Sequence, residues 1–251
     1  MKRVATFVLL CVFFTSSFAY AGVVDSFGFL RQKAGYAELI RQIRGNGDAR
    51  KADVLRKGLV SLTDPDLSEE QNLVATIRAS LAYGRLLVKD GPVLNKREGQ
   101  DVVREALGLI DRLPDDSFYR LALTADAYSL LYLSDTGDLS NGIESQKALS
   151  KAYRKYPDEF YSIYLKANNL VFAPVLFGGN VSKGLDMLLD LYKKAGSEVA
   201  PWDLASLCGV IGIACYKTKA YDKAREYLES ANRMYPVDSE IKEYLAKVEA
   251  T

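Results

Sequence analysis

The sequence predicts an all-α fold, a solenoid of helix pairs closed by a C-terminal capping helix, on three observations. Apolar residues recur at helical spacing with Asn, Asp, Gly and Pro clusters as punctuation, and no convincing strand interrupts them. Small residues fall where two helices of a pair must touch, namely Gly212 on one and Ala224 and Ala231 on the next. Leu-Ala-basic-Tyr-Pro endings recur along the chain, as stacked copies of one unit require.

The last 50 or so residues carry the pattern best. Tyr221 and Leu228 share a side of the second helix and fill the space around the small residues. Pro236 ends that helix, having no amide to continue it and biasing Tyr235 away from helical backbone. With Ile211, Gly212, Tyr216, Ala224, Leu228, Ala231 and Pro236 in place, the segment resembles a tetratricopeptide (TPR) helix pair. One pair leaves an apolar face that only another pair can cover, so more copies are expected upstream. Residues 148–157 match 227–236 in their Leu, Ala, basic and Tyr-Pro positions. A weaker copy ends at Leu113-Pro114, with Ala106 and Leu109 at matching offsets, and another ends at Pro65. The spacing exceeds multiples of the TPR period of about 34 residues, so about five degenerate repeats with lengthened helices or loops are expected.

Element by element, helices are expected over 25–44 and 48–61, stopped by Gly45-Asn46-Gly47 and by Thr63-Asp64-Pro65-Asp66. Ser68 and Gln71 form a capping box opening a helix to about residue 89. Helices over 96–113, 116–133 and 141–156 follow, and Asp158 is expected to cap one that ends at Phe172-Ala173-Pro174. Beyond Gly178-Gly179-Asn180 come a helix to about residue 195, the last pair, and a polar helix over 237–250. Glu240, Lys242, Glu243, Lys247 and Glu249 are expected on the outer face of that end cap.

Residues 1–21 read as a secretory signal. Lys2 and Arg3 precede an apolar run from Val4 to Phe14, and Ala19-Tyr20-Ala21 offers the small residues of a cleavage site, so the mature chain is expected to span 22–251 as one repeat domain. The run is too short to anchor in a bilayer, where about 20 residues are needed. Leu9-Leu10 before Cys11 disfavour lipid attachment there. These features imply a periplasmic or otherwise extracytoplasmic protein without a transmembrane anchor.

Charge and composition exclude several classes. With 33 Lys and Arg against 32 Asp and Glu, and no basic block, a nucleic-acid partner is not expected. The absence of histidine removes the usual triads, histidine metal sites and the usual general base near neutrality. Asp135 and Asp138 lie in a turn where Asp ordinarily caps the next helix, and Gly178-Gly179-Asn180 lacks the lysine of a phosphate loop. No catalytic residue, cofactor or metal is therefore expected. Cys208 and Cys215 sit seven residues apart on one helix, about 10 Å at 1.5 Å per residue, beyond disulfide reach; they are expected buried and reduced.

The segment 158–177 is the candidate site. One helical face carries Phe160, Ile163, Tyr164, Ala167 and Val171; a second carries Tyr161, Leu165, Asn168 and Phe172, with Phe177 in the turn beyond. A helix apolar on two sides is either sandwiched between neighbours or lines a pocket. Tyr161, Leu165, Asn168, Phe172 and Phe177 are accordingly the candidate ligand- or partner-binding residues. Phe172-Ala173-Pro174-Val175-Leu176-Phe177-Gly178-Gly179-Asn180, followed by Lys183-Gly184-Leu185-Asp186-Met187, resembles the T component associated with TRAP transporters. The resemblance implies a non-enzymatic periplasmic helical scaffold that docks on the transporter's substrate-binding subunit, with a cleft for a small hydrophobic molecule. The alternative is a periplasmic carrier holding such a ligand in an aromatic cleft.

Overall fold

The computed structural model describes residues 22–195 and 199–251 and is all-helical. The expected signal segment, with Cys11 and the cleavage site at Ala19 and Ala21, lies outside the described residues. Among those described, no helix is long and apolar enough to cross a membrane, and extended pairing is confined to an isolated bridge between Val24 and Glu159.

Eleven α-helices follow in order. They are α1 (Tyr36–Ile40), α2 (Ala49–Ser61), α3 (Glu69–Arg85), α4 (Lys96–Ile110), α5 (Phe118–Ser134), α6 (Leu139–Lys155), α7 (Phe160–Phe172), α8 (Val181–Ala195), α9 (Pro201–Lys217), α10 (Tyr221–Met234) and α11 (Ser239–Glu249). Two of them run on as π-helix, α1 through Arg41–Asn46 and α3 through Leu86–Asp90. Consecutive helices joined by short loops fold back on one another, the closest partners being α9 with α10, α5 with α6, α7 with α8 and α3 with α4.

Local chemistry sets most boundaries. Ser68 accepts from the Gln71 amide at 3.1 Å while the Gln71 side chain accepts from the Ser68 amide at 2.9 Å, closing the expected capping box. Asp48, Asn95, Ser117, Asp138 and Asp238 cap α2, α4, α5, α6 and α11. Asp135 and Asp138 both serve as turn and cap acceptors, and hydrogen bonding to Ser140 holds the Asp138 carboxyl below its ordinary value.

In α9 and α10, the close contact is between Gly212 and Leu228. A Cβ on Gly212 would fall 2.6 Å from Leu228 Cγ, so any larger residue forces the helices apart. Ala224, Leu228 and Ala231 are fully buried along that seam. Cys208 and Cys215 are free and buried in α9, and burial raises both thiols.

Three expectations need correction. The helix expected over 25–44 is broken into a 3-10 turn, Gly28–Arg31, and α1. The break lets Lys33 run inward, where its ammonium donates to the Leu62 carbonyl at 3.0 Å and Asn72 Oδ1 at 3.1 Å, partners that a continuous helix would not reach. Asp158 does not cap α7. Its carbonyl takes the Val24 amide at 3.0 Å, Val24 in turn accepts from the Phe160 amide at 2.8 Å, and the N-cap is Glu159, whose carboxylate accepts from Ser26 Oγ at 2.6 Å. Glu240 is not a solvent-facing residue of a polar cap, because it turns inward to pair with Lys89 at 2.6 Å.

That last pair is one of several that bring the two ends of the chain together. The π segment after α1 donates from Arg44 to the Trp202 carbonyl at 2.8 Å and accepts on the Arg44 carbonyl from the Val237 amide at 3.1 Å. Tyr36 packs on Trp202 with ring centroids 5.4 Å apart. The start of the fold therefore packs on α9, the π segment after α3 pairs with α11, and the inner faces between them line a common space.

Candidate functional site

This common space is a cavity of about 1020 Å³. It takes wall residues from α1 and its π extension, α3, α5, α6, α7, α9 and α11. Such a volume is at the upper end of ordinary ligand pockets.

At its core stands Arg78, whose helix face also carries Val74, Ile77 and Leu81, all buried. The guanidinium lies against two rings, 4.7 Å from the centroid of Phe27 and 4.6 Å from that of Tyr161, which themselves meet edge to face with centroids 5.2 Å apart. Two carboxylates flank it, Asp203 at 3.4 Å and Asp126 at 3.7 Å. Burial opposes the charge, but the neighbouring Tyr161 and Tyr36 hydroxyls and the two carboxylates keep Arg78 protonated well above its ordinary value. The same burial outweighs the pull of Arg78 on Asp203 and pushes that carboxyl up to about 6. Tyr161 donates to Asp126 Oδ2 at 2.9 Å. Tyr36 and Tyr164 are pushed up to about 12, burial being the main cause in each.

Further ion pairs ring this wall. Arg85 Nε donates to Asp90 Oδ2 at 2.8 Å; burial works against the Asp90 charge, but Arg85, Lys89 and Arg44 hold its carboxyl below the ordinary value. Arg44 lies 4.7 Å over the Tyr235 ring and its Nη1 also donates to Ser206 Oγ at 2.7 Å.

The remaining wall carries apolar side chains, Leu130 and Leu133 from α5, Leu139 and Ile143 from α6, and Leu165 and Phe172 from α7, interspersed with polar ones such as Ser129, Gln146 and Lys147. Leu139 and Ile143 are exposed, as are Val175 and Leu176 in the turn after α7, Leu176 at 94 %. In that turn Gly178 has φ +84°, and a Cβ on Gly179 would fall 1.8 Å from the Ala173 carbonyl oxygen, so the backbone reversal needs glycine at both positions.

The sequence-derived candidates fall as follows. Tyr161, Leu165, Asn168 and Phe172 all line this one cavity. Phe177 belongs to the short turn Val175–Phe177, and its side chain lies outside the described part. The four wall residues are not equivalent. Tyr161 is buried and structural, wedged on Arg78 and bonded to Asp126, whereas Leu165 and Asn168 are half-buried and Phe172 is 37 % exposed, with the Lys217 ammonium 4.4 Å from its ring centroid. The charged wall was not among the candidates. One signal for it exists in the sequence, since Arg78 interrupts the apolar stripe of Val74, Ile77 and Leu81, and a charge there demands partners.

No protein-family model matches the chain, and no curated protein matches it.

Proposed function

We propose that this protein is an exported, non-enzymatic helical-repeat scaffold of the T-component kind, working beside the substrate-binding subunit of a TRAP-type transporter and using its central cavity as a binding site. In this reading α1–α2, α3–α4, α5–α6, α7–α8 and α9–α10 are five degenerate TPR-like pairs of one solenoid, with α11 as the terminal cap. The Gly212–Leu228 seam supports that assignment for the last pair.

One observation carries the functional reading: Leu139 and Ile143 line the cavity and are exposed, and the wall residues Phe172, Ala173 and Pro174 run directly into exposed Val175 and Leu176, apolar surface that water covers poorly. A surface of that kind suits a protein partner seated over it. The chemistry available favours binding over catalysis, because the chain has no histidine and the Asp135–Asp138 turn is occupied with capping.

A tagged mature protein, passed through periplasmic extract, should retain a transporter substrate-binding subunit, identified by mass spectrometry. Leu176→Asp should lose it with the melting temperature unchanged. Retention by Leu176→Asp, or recovery of no such subunit, would refute the docking. The second reading, a carrier that acts without any transporter, is favoured by the volume of the cavity and would stand if ligand binding persisted without that partner.

A further inference from the structure

The two walls of the cavity differ in kind, and that difference specifies a ligand. On the polar wall lie the cations Arg44, Arg78, Arg85 and Lys89. Three of them are neutralised within the protein, Arg78 by Asp126 and Asp203, Arg85 by Asp90, and Lys89 by Glu240. Arg44 makes no direct ion pair. Among the described residues no carboxylate comes within 4.0 Å of it, and Asp90 and Asp203 feel its charge only at longer range. Its Nη1 is tied to the Trp202 carbonyl and Ser206 Oγ, and its plane is held over Tyr235, so the side chain is oriented with its remaining donors unused. A guanidinium offers five N–H groups, and those on Nε and Nη2 find no acceptor among the described residues.

We infer that the cavity takes an organic monoanion with an extended apolar body, a straight-chain carboxylate being the simplest example, with its carboxylate seated on Arg44 and its tail along the apolar wall. This rests on the reading that the cavity is a binding site, and it names what fills it. A guanidinium fixed on one edge presents its remaining edge to a planar carboxylate as a pair of parallel hydrogen bonds. Tyr164 and Asn168, also wall residues, make no protein hydrogen bond through their polar tips among the described residues, and Tyr164 lies within the electrostatic reach of both Arg85 and Arg44. Tyr164 supplies a further polar contact at the head-group end, while Asn168 lies on the α7 stripe between Leu165 and Phe172. The tail lies against Leu130, Leu133, Ile143, Leu165 and Phe172 and gains by leaving water.

The same accounting argues against a cationic ligand. Every wall carboxylate is engaged, Asp90, Asp126, Asp203 and Glu240 with Arg or Lys, and Asp238 with the first amides of α11. Among these carboxylates only Asp90 Oδ1 is a buried oxygen without a hydrogen bond, and it belongs to a carboxylate already paired with Arg85 through Oδ2. Arg44 is also placed with unusual care, because it sits in the π segment Arg41–Asn46, which packs against the π segment Leu86–Asp90 that begins directly after Arg85. Such segments are rare and recur at functional sites.

The test is a titration calorimetry series with dodecanoate, dodecan-1-ol and dodecylamine at equal tail length, on the parent and on Arg44→Gln. Dodecanoate should bind the parent at least tenfold more tightly than the alcohol or the amine, and Arg44→Gln should erase that preference while leaving the alcohol unchanged. Equal binding of all three, or preference for the amine, would overturn the head-group assignment while leaving the cavity as an apolar site. A preference for dodecanoate that survives in Arg44→Gln would remove Arg44 from the role. Binding of none of the three would refute both the ligand and the cavity as its site. Should Arg44→Gln fail to fold, the head-group series on the parent alone still decides the sign of the ligand.

Discussion

Helices α7 and α9 present the same pattern in sequence, apolar on two sides, and are buried to different extents. Most of α9 is buried, because Gly209, Gly212, Ala205, Ala214 and the two cysteines let neighbours close on it from several directions. In α7, Phe160, Ala167 and Val171 are buried against the fold, while Leu165, Asn168 and Phe172 face open space. The difference lies in the residues between the apolar ones. Small residues permit contact on α9; on α7, Asn168 and the tyrosines need polar surroundings, which a dry interface would deny them. Both helices reach the cavity, α9 through residues such as Trp202, Asp203 and Val210, so the spacers decide how tightly the second face is closed and not which helix lines the space.

That contrast can be broken most readily within α7 itself. Phe160 is 1 % exposed, so Phe160→Ala should cost about 3 to 5 kcal/mol of unfolding free energy, read from denaturant melts. A cost near zero would mean that the buried face has been assigned to the wrong side.

Next in size is the charged hub beside that helix. Asp203 has a folded pKa of about 6 against 3.8 when unfolded, so between these values the folded state holds a proton that the unfolded chain has released. The contribution of this group to stability therefore falls as pH rises from about 4 to about 6 and stays low above that. Asp203→Asn removes the titration, and its stability relative to the parent should rise across that window by up to about 3 kcal/mol, at 1.36 kcal/mol per pKa unit. Parallel stability curves for the two proteins would show that burial does not raise this carboxyl.

On α9, Gly212→Leu should destabilise by at least about 1 to 3 kcal/mol, since Leu228 already occupies the space. An unchanged thermal melt would place the α9–α10 contact elsewhere. The smallest effect belongs to Phe172→Ala, expected at about 1 kcal/mol or less, well below the cost of emptying a buried phenylalanine site. A cost equal to that of Phe160→Ala would make α7 a core helix on both faces and close the cavity.

The parts of this structure visible in the sequence are those decided by neighbours in the chain. The capping box of Ser68 and Gln71, the stops at proline, and the small-residue seam of Gly212, Ala224 and Ala231 follow from local rules, as does the placement of Cys208 and Cys215 in the interior. The stripe of Tyr161, Leu165, Asn168 and Phe172 was visible as a pattern, but whether it met a helix or a cavity was not. That outcome depends on the ends of the chain meeting, through Arg44 with Trp202 and Lys89 with Glu240, contacts between residues more than 150 positions apart. Phe27 and Arg78 show the same limit, since the 3-10 turn that opens directly after Phe27 has no periodicity to announce it. Long-range pairing of charges is invisible to any window along the chain.

The central claim is that the space beside α7 is a binding site and not loosely packed interior. Leu165→Trp tests it most directly, because Leu165 is a half-buried wall residue at the edge of the buried Ala125, Ala148 and Leu149 cluster, and the larger ring would extend into the cavity. Titration of parent and variant with a fluorescent fatty-acid probe should give one saturable site in the parent, and at least a tenfold loss of affinity in a variant whose melting temperature is unchanged. Equal probe affinity in the two folded proteins, or no saturable binding to the parent, would contradict the account.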